Sequence, residues 1–426
     1  MGWLVLALVL LLSALNVGIG FVLAIATIVV VAIQGTAPLA AIPLMIFGGG
    51  SKFPLLAIPL FIFAGGLMTT SGISTRLINL ASALVGFIRG GLAMMTIVAS
   101  MFFGEISGSA VAGAAAIGQV VIPAMEKKGY PKAFSAGVVS NAATLAIIIP
   151  PSIPMIIYAA MADTSVVKLF IAGIVPGILG GVLMMALSYY FARTRNYPAE
   201  AAFSLAALWT ALKLGVFALL IPIVIWGGIF GGIATATEVG GLAALAAVLI
   251  GVLVYRELGW KDFWKTVVDS AMQTAVIMLI VSTSAVLGWY LTNEGVPQQL
   301  ARAMLGLTQN RILILLLLNL AFFVAGCFLH SAAAIILIVP IVLPLIRHLG
   351  IDPIHFGLMV TVNLGVGQQT PPVATVLMTT STIANVSMWE VFRTGLWYTM
   401  VLVFLTLLVT YVPVTGMGLV HLVYGG

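Results

Sequence analysis

Long apolar runs separated by short polar stretches dominate this chain. A helix crossing the hydrocarbon core of a bilayer needs about 20 mostly apolar residues. Runs of that order occur near 3–33, 54–70, 133–162, 169–192, 214–231, 239–255, 266–292, 356–384 and 394–415. Two more, 90–125 and 312–346, carry polar breaks, at 104–109 (Gly-Glu-Ile-Ser-Gly-Ser) and 327–331 (Cys-Phe-Leu-His-Ser). A helix interrupted at bilayer depth must line protein or water rather than lipid. Each of these two runs is therefore expected to be a re-entrant helical hairpin, entering and leaving on one side. Segments 74–89 and 199–213 mix apolar and polar positions beside basic residues. They read either as helices lying in the interface or as extensions of neighbouring spans.

Composition agrees with a lipid solvent. Of 426 residues, 62% are hydrophobic and 7% charged, with mean hydropathy +1.24; a soluble domain carries about a quarter charged residues. The 45 glycines and 19 prolines are tolerable in membrane helices, where neighbouring segments satisfy freed backbone groups. A single cysteine, Cys327, excludes an intramolecular disulfide. The first charged residue is Lys52, so the N-terminus lacks the basic region of a signal peptide and reads as a retained transmembrane segment. With both hairpins re-entrant, one side collects 12 basic residues, among them Arg76, Lys127, Lys128 and Lys261, and the other collects 5. The richer side is cytoplasmic by the positive-inside rule. The N-terminus is then inside if 3–33 crosses once, and the C-terminus outside. The net charge of +6 reports these loops rather than a nucleic-acid surface, so no nucleic-acid partner is expected.

The chain also repeats itself. Ser109-Ala-Val-Ala opens an apolar stretch followed by Pro123, Gly129, Pro131, Asn141 and Pro150-Pro151. Ser331-Ala-Ala-Ala opens another, followed by Pro344, Gly350, Pro353, Asn363 and Pro371-Pro372, at offsets of 221 or 222. In the span reading, the first hairpin opens to the cytoplasm and the second to the outside. The copies are thus inverted, an architecture many secondary transporters use, with substrate and coupling ion bound where broken helices meet at the midplane.

Each copy supplies one hairpin tip and one interrupted span. The interrupted spans are Ser140 to Thr144 followed by Pro150 and Pro151, and Asn363 to Thr370 followed by Pro371 and Pro372. Proline removes a backbone donor and disfavours helix at the residue before it, so these breaks free carbonyls and expose helix ends. Carbonyls with Ser, Thr and Asn oxygens suit Na⁺, and helix N-termini suit a carboxylate. Proline-kinked helices packing small polar residues are the alternative. Gln368, Gln369 and Thr370 have no polar counterpart in copy one, where Ile147 to Ile149 precede the prolines. They are candidates for the substrate side or for hydrogen bonds to a neighbouring helix. Glu105 and His330 at the hairpin tips are intramembrane ionisable groups and hence functional candidates. Glu238 reads as a helix-start acid. No nucleophile elbow, zinc motif or P-loop is present, so neither enzyme nor ATP-driven motor is expected.

These residues resemble the large membrane subunit of tripartite ATP-independent periplasmic (TRAP) transporters, the DctM/SiaM type. The resemblance rests on Leu56-Ala-Ile-Pro-Leu-Phe-Ile-Phe-Ala-Gly65, Ile106-Ser-Gly-Ser-Ala-Val-Ala112, Ile149-Pro-Pro-Ser-Ile-Pro154, Leu169-Phe-Ile-Ala-Gly173, Arg195-Asn-Tyr-Pro198, Val254-Tyr-Arg-Glu-Leu258 and Thr370-Pro-Pro-Val373. It implies an all-α polytopic fold of the elevator-type ion-transporter superfamily. Scaffold helices are expected in 1–70 and 214–292, with repeat copies in 71–213 and 293–426. It also implies Na⁺ as coupling ion, no other cofactor, a small four-helix membrane subunit and a periplasmic substrate-binding protein. Sodium ligands are expected among Ser107, Gly108, Ser109, Asn141, Thr144, Ser331, Asn363, Gly365, Gly367 and Thr370. Substrate contacts are expected among Glu105, Pro150, Pro151, His330, Gln368, Gln369, Pro371 and Pro372. Family substrates are organic acids; a sialic acid-like sugar acid is the first expectation and a C4-dicarboxylate the second. A stand-alone Na⁺/carboxylate permease of the same superfamily is the alternative, and a channel or intramembrane enzyme a third reading. Two positions depart from the family pattern: Gly113 stands where many relatives have Asp, and Thr235-Ala-Thr-Glu238 replaces Thr-Pro-Thr-Glu.

Overall fold

The structure, a computed structural model, describes residues 2–425 except Asn16, 36–37 and 200–203, and omits the side chains of Trp3, Leu10, Ala14, Glu105, Ile106 and Ser107. Every regular element among the described residues is helical. The N-terminal part holds α1 (Gly2–Ala14), α2 (Ile19–Gln34), α3 (Ala41–Gly50) and α4 (Ala57–Thr70). The next group is α5 (Ile73–Val85), α6 (Gly91–Ser107), α7 (Ala110–Lys127), α8 (Lys132–Ala143), α9 (Ile153–Ala162) and α10 (Val166–Thr194). Then come α11 (Leu205–Phe230), α12 (Ala236–Leu249) and α13 (Trp260–Asn293). The last group is α14 (Val296–Leu307), α15 (Arg311–Phe328), α16 (Ser331–His348), α17 (Pro353–Gly367), α18 (Thr375–Ala384), α19 (Met388–Tyr411) and α20 (Val414–Tyr424). Among the described residues, eight helical segments are long and apolar enough to cross a membrane.

Two expectations change. The apolar run 3–33 is not one crossing: the chain turns between α1 and α2, which pack against each other. Hydrophobicity hid this turn, since lipid-embedded helices carry apolar residues on every side. The sidedness argument that needed a single crossing there loses its first step. Residues 41–50, which lie outside the runs read as spans, form α3 and pack on α13. Of the two interfacial segments, 74–89 yields the separate amphipathic helix α5, whereas the described end of 199–213 is simply the start of α11. Glu238 behaves as expected. It forms a capping box with Thr235, its carboxylate accepting from the Thr235 N–H at 2.8 Å.

The helices α5 to α10 recur as α14 to α19, each starting 220 to 223 residues later. Backbone features recur with them. Left-handed Gly72 and Gly295 start α5 and α14, left-handed Gly129 and Gly350 precede α8 and α17, and left-handed Asp163 and Asn385 end α9 and α18. Pro150-Pro151 and Pro371-Pro372 are both cis. Packing between the groups is reciprocal: α9 lies against α16 and α17, and α18 lies against α7 and α8. Likewise α19 packs on α8, and α10 on α17.

Around this core, α2, α3 and α4 pack on α13, and α4 packs on α12. Helix α11 faces outward with Trp209, Phe217 and Ile223 exposed, as a lipid-facing surface requires. The arm helix α5 is tied to the loop after α12. The Arg76 guanidinium grips Glu257 through Nη2–Oε1 at 2.7 Å and Nη1–Oε2 at 3.2 Å, and lies 3.8 Å from the Tyr255 ring centroid. That hydrogen bonding holds the Glu257 carboxyl below the usual carboxylate range.

Candidate functional site

The two helix breaks are built alike. In the first, α8 runs into a tight turn at Thr144–Ile147 before Pro150-Pro151. Ser152 then caps α9, accepting from Met155 N–H at 3.4 Å and donating to Ile147 O at 2.7 Å. The tip of the first hairpin is pinned to this loop, with Ile153 N–H donating to Gly108 O at 3.3 Å. Gly108 is left-handed (φ 57°), and a Cβ there would stand 3.0 Å from Pro151 O, so only glycine allows the tip to close. In the second break, Val373 and Ala374 N–H groups both donate to Cys327 O at 3.2 Å. The second hairpin thus docks on its own loop in the same way.

Between the copies sits one glutamine. Gln369, fully buried, donates from Nε2 to Ser140 O at 3.0 Å and to Thr144 Oγ1, and its Oε1 accepts from Ser140 Oγ. Gly365 lies so near Thr144 that a Cβ would approach the Thr144 methyl to 2.6 Å. The two broken helices therefore cross in direct contact, and Gln369 bonds to the neighbouring helix, one of its two sequence readings.

The other expected site residues divide into partnered and unpartnered groups. Asn141 is engaged on both sides of its amide, donating to Gly137 O and accepting from Thr399 Oγ1, each at 2.9 Å. Thr144 is held by Gln369, and Thr370 donates back to Val366 O at 3.0 Å. Ser109 caps α7 and His330 caps α16, so the structural match for Ser109 is His330, one residue before Ser331. Pro150 and Pro151 are buried, whereas Pro371 is half-buried and Pro372 exposed. Gly367 touches the hairpin backbone at Gly326. The side chains of Glu105 and Ser107 lie outside the described residues.

Among the described residues, three buried side-chain polar atoms of the second copy have no hydrogen-bond partner, namely Ser331 Oγ, Asn363 Oδ1 and Gln368 Nε2, as is also true of Ser71 Oγ and Ser100 Oγ elsewhere. A buried polar group left unpaired costs about 1–3 kcal/mol. Two of the three second-copy atoms are oxygens of the kind a hard cation takes. The Asn363 amide is oriented by Nδ2 donating to Asn319 Oδ1 at 2.6 Å and Asn319 O at 2.9 Å, which leaves the oxygen as the orphan. These two oxygens stand at the start of α16 and within α17.

Beside the first hairpin lies a cavity of about 350 Å³, between α4, α7 and α13. Its polar lining is Thr69 and Thr70 from α4, Ser109 and Gln119 from α7, and Thr266, Asp269, Ser270 and Gln273 from α13. At its edge α4 and α13 approach closely, with Thr70 Oγ1 3.2 Å from Thr266 Oγ1. The sequence reading missed the α13 residues. Their signal was present: 266, 269, 270 and 273 follow the i, i+3, i+4, i+7 spacing of one helix face, inside a run that reads as a plain apolar span. Asp269 is the one formally charged residue among the described lining residues.

Paired broken helices within a bundle of membrane-spanning helices define a polytopic membrane protein. The family model for the tripartite ATP-independent periplasmic transporter, DctM component, matches residues 4–415. The chain belongs to that family. It is 39% identical over 402 residues to an isethionate TRAP transporter permease protein, DctMQ, of Oleidesulfovibrio alaskensis, covering 94% of this chain and 63% of that one. It thus spans less than two thirds of that relative's length. It is 39% identical over 352 residues to the C4-dicarboxylate TRAP transporter large permease protein DctM of Pseudomonas aeruginosa, covering 83% of this chain and 82% of the relative. The fold is shared with the YdaH transporter of Alcanivorax borkumensis, at TM-score 0.64, 14% identity and 88% coverage of each chain. The protein is a multi-pass inner-membrane permease and not an enzyme.

Proposed function

We propose that this chain is the large membrane subunit of a Na⁺-driven importer of an organic acid. In this reading it works with a small membrane subunit and a periplasmic binding protein, and its two repeat copies are inverted across the membrane. The carrying observation is the pair of partnerless buried oxygens, Ser331 Oγ and Asn363 Oδ1, at the second hairpin and second broken helix. Sodium bound at either oxygen gives it the partner that the protein does not supply. The hairpins and broken helices then move as one body against the α4 and α13 scaffold, carrying substrate from the cavity in an elevator motion. A sugar acid of the sialic acid type is the favoured substrate, and a C4-dicarboxylate the next.

The test is the Na⁺ concentration dependence of uptake in Ser331→Ala and Asn363→Ala. Each substitution removes one oxygen ligand, and a tenfold loss of ion affinity corresponds to about 1.4 kcal/mol. The half-saturating Na⁺ concentration should rise about tenfold in each variant, with membrane insertion unchanged. A wild-type Na⁺ response in both variants contradicts the assignment.

A further inference from the structure

We propose that Asp269 sets substrate choice in the cavity between α4, α7 and α13, selecting acids with a single anionic group and several hydroxyl donors against dicarboxylates. This rests on the reading that the chain carries an organic acid. The cavity, at about 350 Å³, holds a small organic molecule rather than an ion alone. Its polar lining groups are hydroxyls, amides and one carboxylate, set among apolar residues such as Ile62, Phe103, Ile153 and Ile277, and no lysine or arginine lines it among the described residues. An exposed carboxylate in such a chamber repels a second negative charge and accepts hydrogen bonds from hydroxyls.

The other groups complete the arrangement. Gln119 on α7 and Gln273 on α13 can each donate and accept. Thr266 donates to Asp262 O at 2.8 Å, which orients its hydroxyl on the same face as Asp269. The N-terminus of α7, capped by Ser109, and that of α9, at Ile153, are lining elements with a favourable dipole for an anion. A monoanionic, hydroxylated acid fits with its anionic group on the Ser109 side and its hydroxyls on Asp269. A dicarboxylate places one of its charges against Asp269 or leaves it without a counter-charge. Because α7 belongs to the first hairpin and Asp269 to the packing helix of the N-terminal group, the substrate bridges the two parts that the carrier must move relative to each other.

The test measures binding to the purified full-length permease by competition and thermal shift. The probes are N-acetylneuraminate and gluconate as polyhydroxylated monoanions, and succinate as dicarboxylate. Wild type should prefer at least one hydroxylated monoanion over succinate by tenfold or more. Asp269→Asn should reduce that preference at least tenfold, and Asp269→Glu should keep it. Both substitutions lie on an exposed cavity wall, and an unchanged thermal midpoint without ligand reports intact folding. An equal or greater wild-type affinity for succinate overturns the proposal, as does an Asp269→Asn variant with unchanged preference. Binding of none of the three acids, by protein that also drives no Na⁺-dependent uptake of any of them with its partners, overturns the organic-acid reading itself.

Discussion

Gln369→Leu will unlock the crossing of the two broken helices and lower uptake by more than tenfold. Leucine fills a similar volume but leaves the Ser140 hydroxyl and carbonyl and the Thr144 hydroxyl without their cross-copy partner. Each buried polar group stranded in this way costs about 1–3 kcal/mol, so the sum is of order 2–5 kcal/mol after local rearrangement. The unfolding midpoint in detergent should fall measurably. Removing both partners of a hydrogen bond costs less than removing one. The double variant Gln369→Leu with Ser140→Ala should therefore regain part of the lost stability, which a simple packing defect would not allow. Wild-type uptake by Gln369→Leu would sink the view that the two copies move as one body.

Gly367→Ala is the second large effect. A Cβ at this position would lie 2.5 Å from the Gly326 carbonyl carbon and from its Cα, and neither backbone can yield without separating α15 from α17. Overpacking a close-packed site costs about 1–3 kcal/mol, and contact with backbone on both sides puts this case at the upper end. The docking of the second hairpin should fail, with loss of uptake and a lowered thermal midpoint. Gly113→Ala is the control: nothing lies within 4 Å of its Cβ, so stability should hold or rise slightly. Equal behaviour of the two variants in the thermal assay would contradict the close approach.

The breaks were readable because proline pairs act on the backbone locally, and the same chemistry occurs twice at one spacing. The turn between α1 and α2 was not readable, because apolar residues cover both helices and lipid removes the polar face that marks a turn in water. Gln369 was visible as a polar residue at depth. Its partners, Ser140 and Thr144, lie more than 220 residues away, and only the packing of α17 against the turn after α8 brings them within reach. Ser331 and Asn363 were chosen for oxygen chemistry, and the fold added the fact that matters, namely that their oxygens lack a protein partner. Asp269 was overlooked because it falls inside 266–292, which reads as a plain apolar span. Its role depends on the cavity wall supplied by α4 and α7.

The central claim is Na⁺-gradient-driven import of an organic acid by this chain acting with partners. Reconstitution in proteoliposomes, with the small membrane subunit present and the periplasmic binding protein added or withheld, tests it most directly. Labelled acid should accumulate only when an inward Na⁺ gradient and the loaded binding protein are both supplied, and collapsing the gradient should stop it. Full-rate accumulation by this chain without the binding protein, or a flux indifferent to the gradient, would contradict the account.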